Sequence, residues 1–244
     1  EQRYWDNQEV WTDGGHEWST KFGSTENLWN KHLFDDLKEF RGKKILEIAP
    51  GFGRITQFLS ILAGELIVVD LNPLCIEKTR EKLKNHVLAY FVNDGKSIPK
   101  VRDNSQDLVF SFDSFVHMHS NVTEEYVKEI YRVLKPGGHF SISDVVLVGA
   151  LPEGLRKDAE MYAGCVSGAI QKEVYLELIQ ANGFTNITIQ KEKPIIIPDD
   201  ILVNYLSSAE IQQLKSGSTG IFSITVYAEK PLVENACKPG SGCC

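Results

Sequence analysis

The chain has 244 residues, of which 42% are hydrophobic and 24% charged, and its formal net charge is −7. That is room for one sizeable α/β domain, or at most two small ones, with an ordinary soluble composition. The acidic balance argues against a nucleic-acid footprint, which needs a basic face, and no apolar run approaches the ~20 residues of a membrane span.

The start, "EQRYWDNQEVW", has neither the basic nor the apolar region of a secretory signal, and its missing initiator Met is what a trimmed chain shows. Residues 1–40 are polar and aromatic and hold all four tryptophans, Trp5, Trp11, Trp18 and Trp29. From residue 43 short apolar runs alternate with helical periodicity, with no internal repeat and no long linker. The runs "KKILEIA", "ELIVVD", "LAYFVND", "DLVFSF" and "HFSISDVV" are dense in β-branched and aromatic residues and predict buried strands.

Asn72-Pro73 predicts a helix start, a cap followed by proline at the first helical position. "TEEYVKEIYRVL" predicts another helix, capped by Thr123, with acids in its first turn and a stop at "KPGG". A segment of small residues, 150–170, precedes a helix over about 171–182 that Gly183 ends. Then come the strand "TNITIQKE", a polar helical stretch over 197–216 and a last strand, "IFSITVYAEK". The Gly, Ser and Pro of the tail "PLVENACKPGSGCC" predict flexibility.

Five cysteines (Cys75, Cys165, Cys237, Cys243, Cys244) are odd in number and unevenly spread, which is no disulfide framework. They point to a reducing cytoplasm, with thiols open to soft-ligand chemistry.

Strands alternating with helices predict right-handed crossovers and an α/β fold, a doubly wound, Rossmann-like and mostly parallel sheet. Ligands on such sheets bind outside the carboxyl ends of the strands. Here the first strand runs into "ILEIAPGFGRIT", where Gly51 and Gly53 predict a tight turn open to close ligand approach. Thr56 stands where a dinucleotide site has its third glycine, and Glu47 would repel a pyrophosphate. Three strands end in acids, Glu47, Asp70 and Asp94. Asp70, 23 residues after Glu47, has the spacing of a carboxylate that grips ribose hydroxyls, and Asp94 could accept from an adenine amine. The turn therefore suits a nucleoside whose other half is cationic and free of phosphate. S-adenosylmethionine (SAM) has both parts.

Four stretches in order, "EIAPGFGR", "VVDLNP", "VNDG" and "RVLKPGGHFSI", carry a resemblance over roughly residues 40–230. They are similar to the motifs of class I SAM-dependent methyltransferases. The resemblance implies that family's fold, in which the last strand runs antiparallel, and SAM as cofactor. It implies a cofactor set of Glu47, Ala49, Gly51 and Gly53 at the turn and Asp70 and Leu71 after the second strand. Asn93, Asp94 and Gly95 follow the third strand, and Phe112 and Trp18 complete the set. The same resemblance divides the chain into an aromatic lid, 1–40, and a SAM-binding methyltransferase domain, 41–230. That domain carries an active-site insertion at 147–170, and a flexible cysteine-containing tail, 231–244, follows it. In the lid, Trp18, Phe22 and Trp29 are expected either to pack over the ligands and exclude water or to pin a helix to the sheet.

The acceptor is expected to be a small molecule, and its class divides the chain. The fourth strand exits into "SFDSFVHMH", which puts Asp113, His117 and His119 on the ligand face. With "EWSTKFGSTENLW", this front half is similar to small-molecule, sugar-type O-methyltransferases. An alcohol must lose a proton, so His117 or Asp113 would be the base. The back half, about 130–230, is instead similar to arsenite methyltransferases, whose functional thiol falls on Cys165 within "YAGCVSGA".

Trivalent arsenic, as arsenite or methylarsenite, attacks with its own lone pair and is held by soft thiolates. The tail "ACKPGSGCC" is similar to cysteine-rich ends of that family, so Cys165, Cys243 and Cys244 are the expected arsenic ligands. Glutathione or another thiol is the expected further partner. The first 74 residues hold no cysteine, where that family carries one or more, and Ser216 and Ser218 precede the last strand without a thiol. Cys75 falls in the first turn after the second strand and is expected to be a small buried residue. A module that binds SAM or a soft metal without turnover is the alternative outside enzymes.

Overall fold

The computed structural model describes residues 11–83, 89–150, 169–216 and 219–232. Its strands are β1 (Lys44–Ile48), β2 (Glu65–Asp70), β3 (Ala89–Val92), β4 (Gln106–Phe112), β5 (Leu134–Val148), β6 (Thr185–Pro194) and β7 (Gly220–Glu229). They form one sheet in the order β3-β2-β1-β4-β5-β7-β6. β1 pairs in parallel with β2 and β4, β2 with β3, and β4 with β5. β7 runs antiparallel to both β5 and β6. The expected mostly parallel sheet with an antiparallel last strand is what the chain forms.

The apolar runs of β1, β2, β4 and β5 are largely buried because these strands alternate between two helical layers, whereas the run at β3, on the sheet edge, is only half-buried and leaves Val92 exposed. Ile45, Leu66, Val68, Leu108 and Phe110 pack under one layer. That layer contains α1 (Thr25–Leu28), a π turn over Trp29–Leu33, α2 (Phe34–Leu37), α3 (Thr56–Leu62) and α4 (Pro73–Lys82). Leu46, Ile48, Val69, Val109, Phe140 and Ile142 face the other layer. There α5 (Ser120–Val133) presents Tyr126, Val127, Ile130 and Val133 at helical spacing, and α6 (Lys172–Ala181) adds Tyr175 and Ile179. Truncating a side chain as fully enclosed as Phe110 to Ala costs ~3–5 kcal/mol.

Local signals hold in detail at α4, where the Asn72 side chain accepts the Leu74 N–H at 2.9 Å ahead of Pro73. At α5 the expected cap is displaced. The helix begins at Ser120, and the His119 carbonyl accepts the N–H groups of Val122 and Thr123. Thr123 is buried inside the first turn, its hydroxyl turned back to the same carbonyl, so it cannot cap. "KPGG" does end that helix, yet β5 starts at once and takes these residues in.

Trp29 is a core residue, and Phe22 is half-buried at the edge of the same core. Trp29 stacks on Phe58 with ring centroids 5.2 Å apart, and Phe22 packs against the same cluster. The polar stretch after β6 forms α7 (Asp199–Leu202) and α8 (Ser208–Lys215), the second opened by a Ser207–Glu210 capping box. Among the described residues no helix is long and apolar enough to cross a membrane.

Candidate active site

The carboxyl ends of β1, β2, β3, β4 and β5 gather on one edge of the sheet, and the glycine turn leaves β1 there. Ala49 (φ 55°), Gly51 (φ 59°) and Gly53 (φ 79°) all take left-handed backbone, which reverses the chain into α3. The turn is braced from both neighbours. The Ala49 N–H donates to the Val69 carbonyl at 2.8 Å, and the Thr79 hydroxyl donates to the Gly51 carbonyl at 2.9 Å.

Glu47 and Asp70 stand beneath this turn and are both buried. Burial above all, helped by the neighbouring Asp70 charge, pushes the Glu47 carboxyl up to about 8. The Thr56 hydroxyl alone works the other way, without well-formed hydrogen-bond geometry. Among the described residues, Glu47 Oε2 and Thr56 Oγ1 are thus buried atoms with no hydrogen-bond partner. Burial also pushes Asp70 up to about 7, against the pull of the Asn72, Gly51 and Leu71 N–H groups. Its Oδ1 accepts the Asn72 N–H at 2.8 Å.

An orphaned buried carboxylate oxygen is costly unless a ligand pairs with it. A cationic ligand would satisfy Glu47, whereas a phosphate would meet two acids. The residues present therefore fit SAM, whose ammonium and sulfonium are cationic, and do not fit a dinucleotide pyrophosphate.

Asn93, Asp94 and Gly95 leave β3 on the same edge, beside Leu71. Asn93 shapes this loop, its amide donating to the Ser97 carbonyl at 3.0 Å and the Tyr126 hydroxyl at 2.8 Å. Asp94 Oδ1 accepts the N–H groups of Lys96 and Ser97 at 2.9 and 2.7 Å, and Oδ2 accepts the Ser97 hydroxyl at 3.0 Å. Those bonds hold the Asp94 carboxyl below the usual carboxylate range. A carboxylate has about four acceptor positions, so one remains toward solvent for a donor such as an adenine amine.

At the exit of β4 the chain turns sharply at Asp113 (φ 55°), whose N–H donates to the Ser143 carbonyl at 2.9 Å. Asp113 is paired with Arg54 of the glycine turn, Nη2 to Oδ2 at 3.0 Å. The same guanidinium donates to Ser19 Oγ at 3.0 Å and lies over the rings of Trp18 and Phe112, at 5.8 and 5.2 Å from their centroids. The structure thus brings Trp18, Phe112 and Asp113 together around an arginine that the sequence motifs do not single out. An arginine directly after "GFG", in an otherwise apolar turn, is the available signal.

His117 ends a short 3-10 turn, Phe115–His117, at the same edge, and His119 caps α5 through its carbonyl. The turn is held from below by Asp144, a buried carboxyl that the sequence motifs also pass over. Asp144 Oδ1 accepts the N–H groups of Val116 and Val145 at 2.8 and 2.9 Å. Burial pushes it up to about 8, and the Tyr175 hydroxyl bonds to it. An acid in the apolar run "SISDVV" is the signal that could betray it.

Cys75 is buried in the first turn of α4, as expected. Cys165, Cys243 and Cys244 lie outside the described residues, as does most of the 147–170 insertion and of the 231–244 tail. Among the described residues no group of three or more His, Cys, Asp or Glu could hold a metal ion.

Residues 46–142 match the methyltransferase domain family model. The arsenite methyltransferase of Aquipseudomonas alcaligenes is 28% identical over 181 residues, which cover 69% of this chain and 51% of that protein. The arsenite methyltransferase of Halobacterium salinarum is 30% identical over 197 residues, 78% of this chain and 47% of that protein. The chain therefore spans about half the length of these curated relatives. Among solved structures, CrArsM, an arsenic(III) S-adenosylmethionine methyltransferase from Chlamydomonas reinhardtii, superposes with a TM-score of 0.62 at 24% identity. That superposition covers 79% of this chain and 65% of that one, and it concerns the fold. With the strand order, the glycine turn and the buried acids above, these matches identify the chain as carrying a class I methyltransferase domain, the kind whose cofactor is S-adenosylmethionine.

Proposed function

We propose that the chain is an enzyme that moves the SAM methyl group to trivalent arsenic, as arsenite or methylarsenite, held by thiolates in a reducing cytoplasm. When bound, SAM supplies an electrophilic methyl on a sulfonium. Glu47 would pair with its cationic half, Asp70 with the ribose, and the loop at Asn93–Gly95 with the base. The protein's share of such an in-line displacement is proximity, orientation and a dry site.

The observation that carries the arsenic reading is the similarity to arsenite methyltransferases over more than two thirds of the chain. The engagement of Asp113 by Arg54 agrees with it, since arsenic's lone pair needs no carboxylate base. Cys165, with Cys243, Cys244 or a bound thiol such as glutathione, would supply the soft ligands.

The second reading is O-methylation of a hydroxyl on a small metabolite or sugar. His117, at the carboxyl end of β4, is its candidate base. Turnover of SAM to S-adenosylhomocysteine across a panel of acceptors separates the readings. Arsenite-dependent turnover that requires added thiol is the expected result, and alcohol-dependent turnover would replace arsenic by the second reading. SAM binding with no turnover on any acceptor would leave a binding module.

A further inference from the structure

We infer that Arg54 is a positioning residue, which latches the N-terminal segment shut over the cofactor turn. The inference rests on the SAM reading of that turn only for its effect on ligand exchange. Its geometric part stands on Arg54 itself, whose side chain is 9% exposed and reaches two separate elements. One arm pairs with Asp113 at 3.0 Å at the exit of β4, and the other donates to Ser19 at 3.0 Å in the 3-10 helix His16–Phe22. Trp18 from that helix and Phe112 from β4 cover the guanidinium with their rings. A planar fork with two opposed donors suits this bridge, and an ammonium does not.

The latch determines where the tryptophans rest. Trp11 stacks on Phe52 of the turn with centroids 4.1 Å apart and 5° between planes, and it meets Trp18 edge-on at 4.9 Å. Its indole fills the space that Gly51 leaves by lacking a side chain, since a Cβ there would stand 2.8 Å from the ring. Gly15 (φ 90°) lets the segment descend this far, because a Cβ there would meet Trp18, Trp11 and the Arg54 stem within 3.6 Å. Backbone at Gly51 is where a ligand must approach this turn closely. Entry and exit of SAM therefore require the segment to lift, and Arg54 controls how often it does.

The test is amide exchange on the full chain without SAM, read at Gly14, His16, Trp18 and Gly23, whose N–H groups bond within the segment. Arg54→Gln should speed exchange there about tenfold or more, the equivalent of losing charge-assisted bonds, while amides of β1 and β4 keep their protection. Arg54→Lys should not restore it, and Ser19→Ala should show a smaller acceleration confined to the same amides. In stopped-flow, SAM should leave Arg54→Gln about tenfold faster than the wild type. Unchanged protection at the four amides, or acceleration shared equally with β1 and β4, would overturn the latch. If Arg54→Gln does not fold, Ser19→Ala decides the matter at the same amides. A wild type that fails to bind SAM would sink the cofactor reading, while the exchange result would still decide the latch.

Discussion

Glu47 and Asp70 share one face of the sheet on neighbouring parallel strands. Glu47 is in register with Val68, so Asp70, two residues further along β2, turns the same way. Two buried acids on one face, with an unpartnered oxygen on one of them, form a site that is poorly balanced until a cation arrives.

That imbalance sets a pH dependence. Folding raises both carboxyl pKa values, to about 8 for Glu47 and about 7 for Asp70. A raised pKa favours the protonated form, so the stability contributed is full below about pH 4 and is lost as pH climbs through the folded values. The thermal midpoint of the ligand-free chain should therefore fall between about pH 6 and about pH 8.5. A cationic ligand prefers the ionised acids, so the upward shift caused by SAM should grow over the same interval. Glu47→Gln should remove most of that growth, but only part of the first trend, because Asp144 is also pushed up to about 8. Thermal melts at the two pH values, with and without SAM, check both. A SAM shift independent of pH would take Glu47 away from the cation.

Asp70 carries the placement of the nucleoside. Asp70→Asn keeps an oxygen for the Asn72 N–H but removes the charge offered to ribose hydroxyls. A charge-assisted hydrogen bond is worth ~1.5–3 kcal/mol, so calorimetry should find SAM bound about 10- to 100-fold more weakly. Unchanged affinity would mean that the ribose sits elsewhere.

His117 separates the two acceptor classes. Loss of a true general base lowers turnover by about 10²–10⁴. With arsenite as acceptor, His117→Ala should instead keep a rate within a few-fold of the wild type, because no proton has to leave the attacking atom. A collapse of kcat at unchanged SAM affinity would favour the hydroxyl acceptor.

Much of this architecture is legible in the sequence because its signals are local. Asn72-Pro73 caps α4 whatever the tertiary surroundings, and runs such as "ELIVVD" can be buried only as strands between two layers. The turn and its acids are legible for the same reason, since strand-end residues at fixed spacing share an edge. Arg54 and Asp144 are not, because their roles depend on partners far along the chain, Ser19 and Asp113 for one, Val116 and Tyr175 for the other. Thr123 misleads because a cap depends on which hydroxyl turns toward a free N–H, and here it turns back to the His119 carbonyl. Among the aromatics, composition cannot separate Trp29, stacked on Phe58 in the core, from Trp18 beside Arg54 at the turn.

Cys165 is the residue on which the arsenic proposal depends. It lies in the stretch between β5, which ends at Val148, and α6, which opens at Lys172. Both ends of that stretch are anchored near the ligand edge of the sheet, since the Leu147 N–H donates to the Ile170 carbonyl at 2.9 Å. The arsenic proposal has this stretch bring its thiol to the methyl acceptor. Cys165→Ser exchanges a soft ligand for a hard hydroxyl at nearly constant volume, so arsenic should lose a ligand while the sheet and the acids stay in place. SAM affinity should stay within about twofold of the wild type, and arsenite-dependent turnover should fall by about 10² or more. Both are measured on one preparation, by calorimetry and by S-adenosylhomocysteine formation with added thiol. A serine variant that still methylates arsenite would remove Cys165 from the site, and one that loses SAM binding together with turnover would make it a packing residue.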